Sequence, residues 1–239
     1  MKTKYIVALA LTAGFVSSAK AGNPVTYTDW TTASSPGLSA TAGGILSLSS
    51  GTVNISYSGE FDFAQINDTG AQYWTQPNSL ALPYTGNSVV GNAPSSPDII
   101  ALSEPNGVET DTITFSKPVF DPIMLINSLG QPGLGVSYVF NQSFTLLSAG
   151  QGYWGGTATS LTSSGDTLTG YEGAGAIEFS GEVSSISWQT GGQYGSEGWN
   201  GFTIGAVTSQ PTGTVPDGGT TFSLLAIGFG SLLKFRGKK

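Results

Sequence analysis

The chain has 239 residues and a formal net charge of -7, and it contains neither cysteine nor histidine. The absence of both residue types excludes disulfides, thiolate zinc sites, cysteine nucleophiles and every Ser-His-Asp or Cys-His arrangement. Charge is unevenly placed: Lys117 is the single Lys or Arg between residues 22 and 214, against 14 Asp and Glu, and the resulting net -13 leaves no basic patch for nucleic acid.

In chain order, Met1-Lys2-Thr3-Lys4 is a basic start, residues 5–16 are mostly apolar, and Ala19-Lys20-Ala21 is a small-x-small site. This order predicts a Sec-type signal peptide over residues 1–21, cut by signal peptidase between Ala21 and Gly22. Lipid attachment through cysteine is excluded. From residue 22 to 207, apolar residues recur with a period of two, as in half-buried strands. Val53, Ile55 and Tyr57 alternate, followed by Phe61 and Phe63, Ile113 and Phe115, and Val136, Tyr138 and Phe140. Ile177 with Phe179, Ile186 with Trp188, and Phe202 with Ile204 continue the pattern. Turn-rich clusters at residues 91–98, 130–133 and 191–193 separate these runs, and no segment between the termini has helix-forming composition. The predicted fold is all-β: two packed antiparallel sheets in a jelly-roll-like β-sandwich, flanked by an N-terminal signal helix and a C-terminal transmembrane helix.

Three kinds of site chemistry are open to a domain of this composition. Glu60 and Asp62, two apart on a strand, would project from one face and could act as the carboxylate pair of a glycosidase or lyase, although 14 acids make such spacings common and no glycosidase motif surrounds them. Tyr73-Trp74, Tyr153-Trp154 and Trp199 lie among Gly, Asn, Gln or Ser and fit sugar-stacking platforms, although Trp in a sandwich is more often a plug of the core. Neighbouring aromatics on an extended chain face opposite ways, so at most one of each pair faces inward. No cofactor is implied, but a structural calcium needs only oxygen ligands, and the acidic loops at residues 104–111 and 166–172 are its candidates, without EF-hand spacing to assign the ligands. Asn54, Asn67 and Asn141 begin N-x-S/T triplets, which arise readily in a chain rich in these residues.

Residues 208–214 have linker composition, so the expected division is a signal peptide at 1–21, an ectodomain at 22–207, this linker, and a tail at 215–239. The tail opens with Val215-Pro216-Asp217-Gly218-Gly219, continues as a mostly apolar run at 220–235, and ends with Lys234, Arg236, Lys238 and Lys239 as a basic membrane stop. As a helix the apolar run is about 24 Å long, short of the roughly 30 Å hydrocarbon layer, which suits a transient stop better than a lasting anchor.

This order of parts resembles the PEP-CTERM sorting signal of Gram-negative bacteria. The family motif is usually Val-Pro-Glu-Pro, and Val215-Pro216-Asp217-Gly218-Gly219 is closer to its Val-Pro-Asp-Ser-Gly variant class. The resemblance implies that an exosortase, a membrane-embedded cysteine protease or transpeptidase, recognises residues 215–219 while the tail sits in the inner membrane. It further implies release or attachment at the cell surface, in the context of exopolysaccharide or biofilm production. The segments 111–119, 123–126, 176–181 and 186–188 resemble the β-sandwich ectodomains found before such signals. The expectation is therefore an exported, non-enzymatic surface or matrix protein. A carbohydrate-binding module at the same place is the first alternative, and a carboxylate-dependent glycosidase or lyase the second.

Overall fold

The computed structural model describes residues 22–75, 82–103, 110–192 and 198–210. Ala19, Ala21 and the whole of residues 215–239, with Val215, Pro216, Asp217, Gly218, Gly219, Lys234, Arg236, Lys238 and Lys239, lie outside the described residues. Among the described residues no helix is long and apolar enough to cross a membrane.

Strands with one wet face form the larger sheet. Its order is β11 (Leu161–Ser164), β12 (Thr167–Gly170), β9 (Val136–Phe140), β14 (Glu182–Gly192), β7 (Thr110–Phe120), β4 (Gly51–Phe61), β3 (Gly37–Leu48) and β2 (Asp29–Ala33). Along β4, Val53, Ile55 and Tyr57 are buried while their neighbours are exposed, and β7 and β14 alternate in the same way. The second sheet runs β10 (Thr145–Gly150), β13 (Gly173–Glu178), β8 (Ile123–Leu129), β15 (Asn200–Val207), β6 (Ile99–Leu102) and β5 (Phe63–Gln65). The strand β1 (Val25–Tyr27) pairs with the end of β15 on the edge it shares with β6. All strand pairs are antiparallel, and after β6 the chain passes from sheet to sheet with nearly every strand. The all-β, two-sheet sandwich is thus as the period-two pattern requires.

The space between the sheets is filled by interlocked rings. Phe202 meets Trp188 at 5.2 Å and Tyr57 at 5.4 Å between ring centroids, and Phe140 meets Phe179 at 5.1 Å. The edge-to-face contacts among these, Phe202 with Trp188 and Phe140 with Phe179, add about 0.5–1.5 kcal/mol each beyond the area they bury. The second sheet is buried on both faces. Its outer face carries Ile99, Ile123, Leu125 and Ala176, packed under Trp74, Tyr84 and Val90 from the segment between β5 and β6, which includes the short helix α1 (Leu82–Thr85). This explains why Ile99–Leu102 and residues 123–126 are apolar without alternation.

Two expectations change in detail. Phe61 and Phe63 do not share a strand face: Phe61 belongs to the inner core, the chain crosses to the other sheet at Asp62, and Phe63 packs on the outer side. Gly191 and Gly192 continue β14 opposite Ser137 and Val136 instead of turning. Gly192 has φ +125°, and a Cβ there would stand 2.3 Å from the Gly135 carbonyl oxygen, so this close approach of strands needs glycine. Beyond β15, the Thr208 N–H donates to the Pro24 carbonyl and the Thr208 carbonyl accepts the Ser49 N–H, while Gln210 accepts a hydrogen bond from the Phe120 N–H at 2.9 Å.

Candidate functional site

Two of the acidic residues singled out by the sequence, Glu60 and Asp111, serve the fold. Glu60 is buried and its Oε1 accepts the Ser103 N–H at 2.9 Å, whereas Asp62, beyond the buried Phe61, is exposed. The expected same-face carboxylate pair is therefore not formed, because the strand ends between the two. Asp111 stands in β7 with no exposed surface. Its Oδ1 accepts the Tyr57 hydroxyl at 2.5 Å and the Glu60 N–H at 3.1 Å, and its Oδ2 faces the Thr190 hydroxyl at 3.4 Å. Burial first, and then the charge and hydrogen bond of Asp111, hold the Tyr57 hydroxyl in its protonated form well above the ordinary tyrosine range. Of the calcium candidates, residues 104–109 lie outside the described residues. Asp166 and Glu172 are separated by the length of β12, so the loop at 166–172 does not gather its acids. Among the described residues no group of three or more acids is placed to hold a metal ion.

Asp98 ties three segments together from a buried position. Its Oδ2 accepts the Trp30 N–H and its Oδ1 the Asp68 N–H, each at 3.0 Å. Burial, the largest effect, nonetheless raises its carboxyl above the usual range, opposed by these hydrogen bonds.

The aromatic candidates divide cleanly. Trp74 is a core plug: it is 1% exposed, donates Nε1–H to the Asp98 carbonyl at 3.0 Å and meets Tyr84 edge-on at 5.5 Å. Tyr73, the preceding residue, is only partly buried and packs against the outer cluster that holds Trp74. It joins Tyr153, Trp154 and Trp199 in one surface cluster, with centroid separations of 5.2, 4.8 and 5.2 Å. Four of the five predicted sugar-contact residues thus meet at one place, though they come from three loops. Tyr153 and Trp154 both join because they occupy a tight turn, closed by the Gly152 N–H on the Gly155 carbonyl at 2.7 Å, and not an extended strand.

The sheet beneath makes room for these loops. Phe63, Ala101, Gly201 and Asn127 are register partners in succession across β5, β6, β15 and β8. Ala101 and Gly201, the small residues of this row, leave room for a loop over the sheet. A Cβ at Gly152 would stand 2.6 Å from the Ala174 methyl, and one at Gly201 would stand 3.1 Å from the Trp199 ring. Phe63, read from sequence only as a strand residue, supports Trp199 from below at 4.9 Å.

Trp154 and Trp199 meet at 87° with centroids 4.9 Å apart, forming a corner. Trp154 is the open wall, 46% exposed. The corner faces a cleft of about 250 Å³ completed by Ser128, Gln131, Glu172 and Gly198. Gln131 is set by a turn in which it and Leu134 exchange backbone hydrogen bonds at 2.9 Å. Ser128 donates its hydroxyl to Glu172 Oε1 at 2.5 Å. Apolar walls at right angles, beside an amide and a carboxylate, suit a ligand with one apolar face and a polar edge. Nothing in the sequence marks Ser128 or Gln131 as a site residue, and Glu172 stands out there only as the end of an acidic loop.

No family model, curated protein or solved structure matches the chain.

Proposed function

We propose that the chain is an exported carbohydrate-binding protein of the cell surface, on a sandwich we read as jelly-roll-like from its alternation between sheets. The observation that carries this reading is the convergence of Tyr73, Tyr153, Trp154 and Trp199 beside a cleft with polar side chains. Aromatic rings of a folded core bury themselves, and Trp74, Trp30 and Trp188 do so almost completely. A half-open set of rings with amide and carboxylate neighbours instead matches the two-sided character of a pyranose, whose C–H face stacks on a ring while its hydroxyls reach polar groups. It favours the binding module over a purely structural surface protein and over a carboxylate hydrolase.

Export and sorting rest on the sequence. Signal peptidase is the partner for the Ala21/Gly22 junction, and the sandwich engages the chain at once thereafter: the Asn23 N–H donates to the Val89 carbonyl at 2.8 Å. An exosortase is the partner for Val215, Pro216 and Asp217, with the inner membrane holding the tail in transit and exopolysaccharide as the ligand class met outside. A glycan array probed with the full chain in mild detergent tests the binding function. Selective retention of one polysaccharide class is expected, and retention of none sinks the reading. For sorting, mass spectrometry of the surface form from its native host should find the C-terminus short of residue 220. A mature form still ending at Lys239 would refute tail removal.

A further inference from the structure

Resting on the carbohydrate reading, we propose that the sugar taken by this cleft is cationic: an amino sugar whose ammonium group is held by Glu172 while its ring lies in the corner of Trp154 and Trp199. Glu172 uses one oxygen to accept the Ser128 hydroxyl, and its Oε2 has no hydrogen-bond partner among the described residues. No cation of the domain can serve it. Lys117 is the single Lys or Arg between residues 22 and 214, and it lines a different groove, with Phe120, Glu182 and Gln210. A carboxylate without an internal counter-ion beside two indoles is a cation site by both of its components: the ring faces attract positive charge, and the carboxylate accepts a charge-assisted hydrogen bond.

Backbone geometry supplies an independent reason to regard this carboxylate as placed. Among the described residues, five non-glycine residues have left-handed φ values: Asn67, Asp68, Asp121, Ser128 (+59°) and Glu172 (+68°). Asn and Asp adopt that region readily, whereas Ser and Glu pay a cost of about 1 kcal/mol or more. The two residues that bear this cost line the same cleft and are hydrogen-bonded to each other. Strain kept at a pair of contacting polar residues is a mark of a functional position. The acidic domain argues the same way at longer range, since a net -13 between residues 22 and 214 repels a polyuronate and draws a polycation.

Calorimetric titration of the full chain in mild detergent with a glucosamine oligosaccharide, its fully N-acetylated counterpart and a polyuronate tests this. The glucosamine oligomer should bind roughly tenfold more tightly than the acetylated one, as a hydrogen bond to a charged group implies, and the preference should weaken with added salt and as pH rises through the amine's titration. In Glu172→Gln, which keeps an acceptor for the Ser128 hydroxyl, the preference should vanish while binding of the acetylated oligomer persists. Trp154→Ala should weaken both oligomers alike. Equal or tighter binding of the acetylated oligomer, or an undiminished preference in Glu172→Gln, would overturn the amino-sugar assignment and leave carbohydrate binding standing. Binding of a lysine hexapeptide as tightly as the glucosamine oligomer would overturn the assignment to a sugar. Binding of no saccharide would overturn both.

Discussion

Glu178 and Asp98 show how single residues set the response of this domain to pH. Burial raises both carboxyls above the usual range, Asp121 adding to the effect at Glu178. The folded chain therefore holds these protons at pH values where the unfolded chain has released them. This contribution is full below the unfolded titration near pH 4 and is lost as pH rises through the higher folded values. Thermal unfolding followed by circular dichroism should show the melting temperature rising as pH is lowered from 7 towards 4. Glu178→Gln should flatten that rise, and an unchanged slope would remove Glu178 from the explanation. Asp98 is less suited to the same substitution, because its two oxygens accept two backbone N–H groups and an amide offers only one acceptor.

Elements were legible from sequence where one face is wet. Val53, Ile55 and Tyr57 in β4, and Val136, Tyr138 and Phe140 in β9, all point inward as their spacing requires. Legibility failed where the chain changes sheet, because alternation continues through Phe61 and Phe63 although a crossing separates them. It also failed where a glycine pair is read as a turn. Gly192 is small because the chain at Gly135 and Val136 approaches closely, and no local signal distinguishes that from a loop. The approach can be tested: Gly192→Ala should destabilise the fold by about 1–3 kcal/mol, read from the denaturation midpoint, whereas Gly133→Ala, with nothing within 4 Å of the added carbon, should cost only its backbone strain. Equal losses at the two positions would argue against a packing role for Gly192. The candidate site was legible in kind and not in arrangement. The aromatic residues stood out among polar neighbours, but residues 63, 73, 153 and 199 meet only through the pairing of β5, β6, β15 and β8. The left-handed conformations of Ser128 and Glu172 leave no trace in the identity of either residue.

At the scale of the whole molecule, the second sheet carries the proposed sugar-binding surface, while the larger sheet presents an alternating outer face on which Leu38, Ile45, Phe120 and Val139 are exposed. The acidic body between residues 22 and 214 holds a single Lys or Arg, and the proposed leader and sorting tail flank it. The central claim is that the exposed ring corner binds sugar while the neighbouring buried ring holds the fold. Titrating the polysaccharide selected by the array against the wild-type chain, Trp154→Ala and Trp74→Ala, with a melting curve for each, tests it most directly. Trp154→Ala should lose at least tenfold in affinity, about 1.4 kcal/mol, with its melting temperature nearly unchanged, and Trp74→Ala should lose about 3–5 kcal/mol of stability. Undiminished affinity in a folded Trp154→Ala protein would contradict the account.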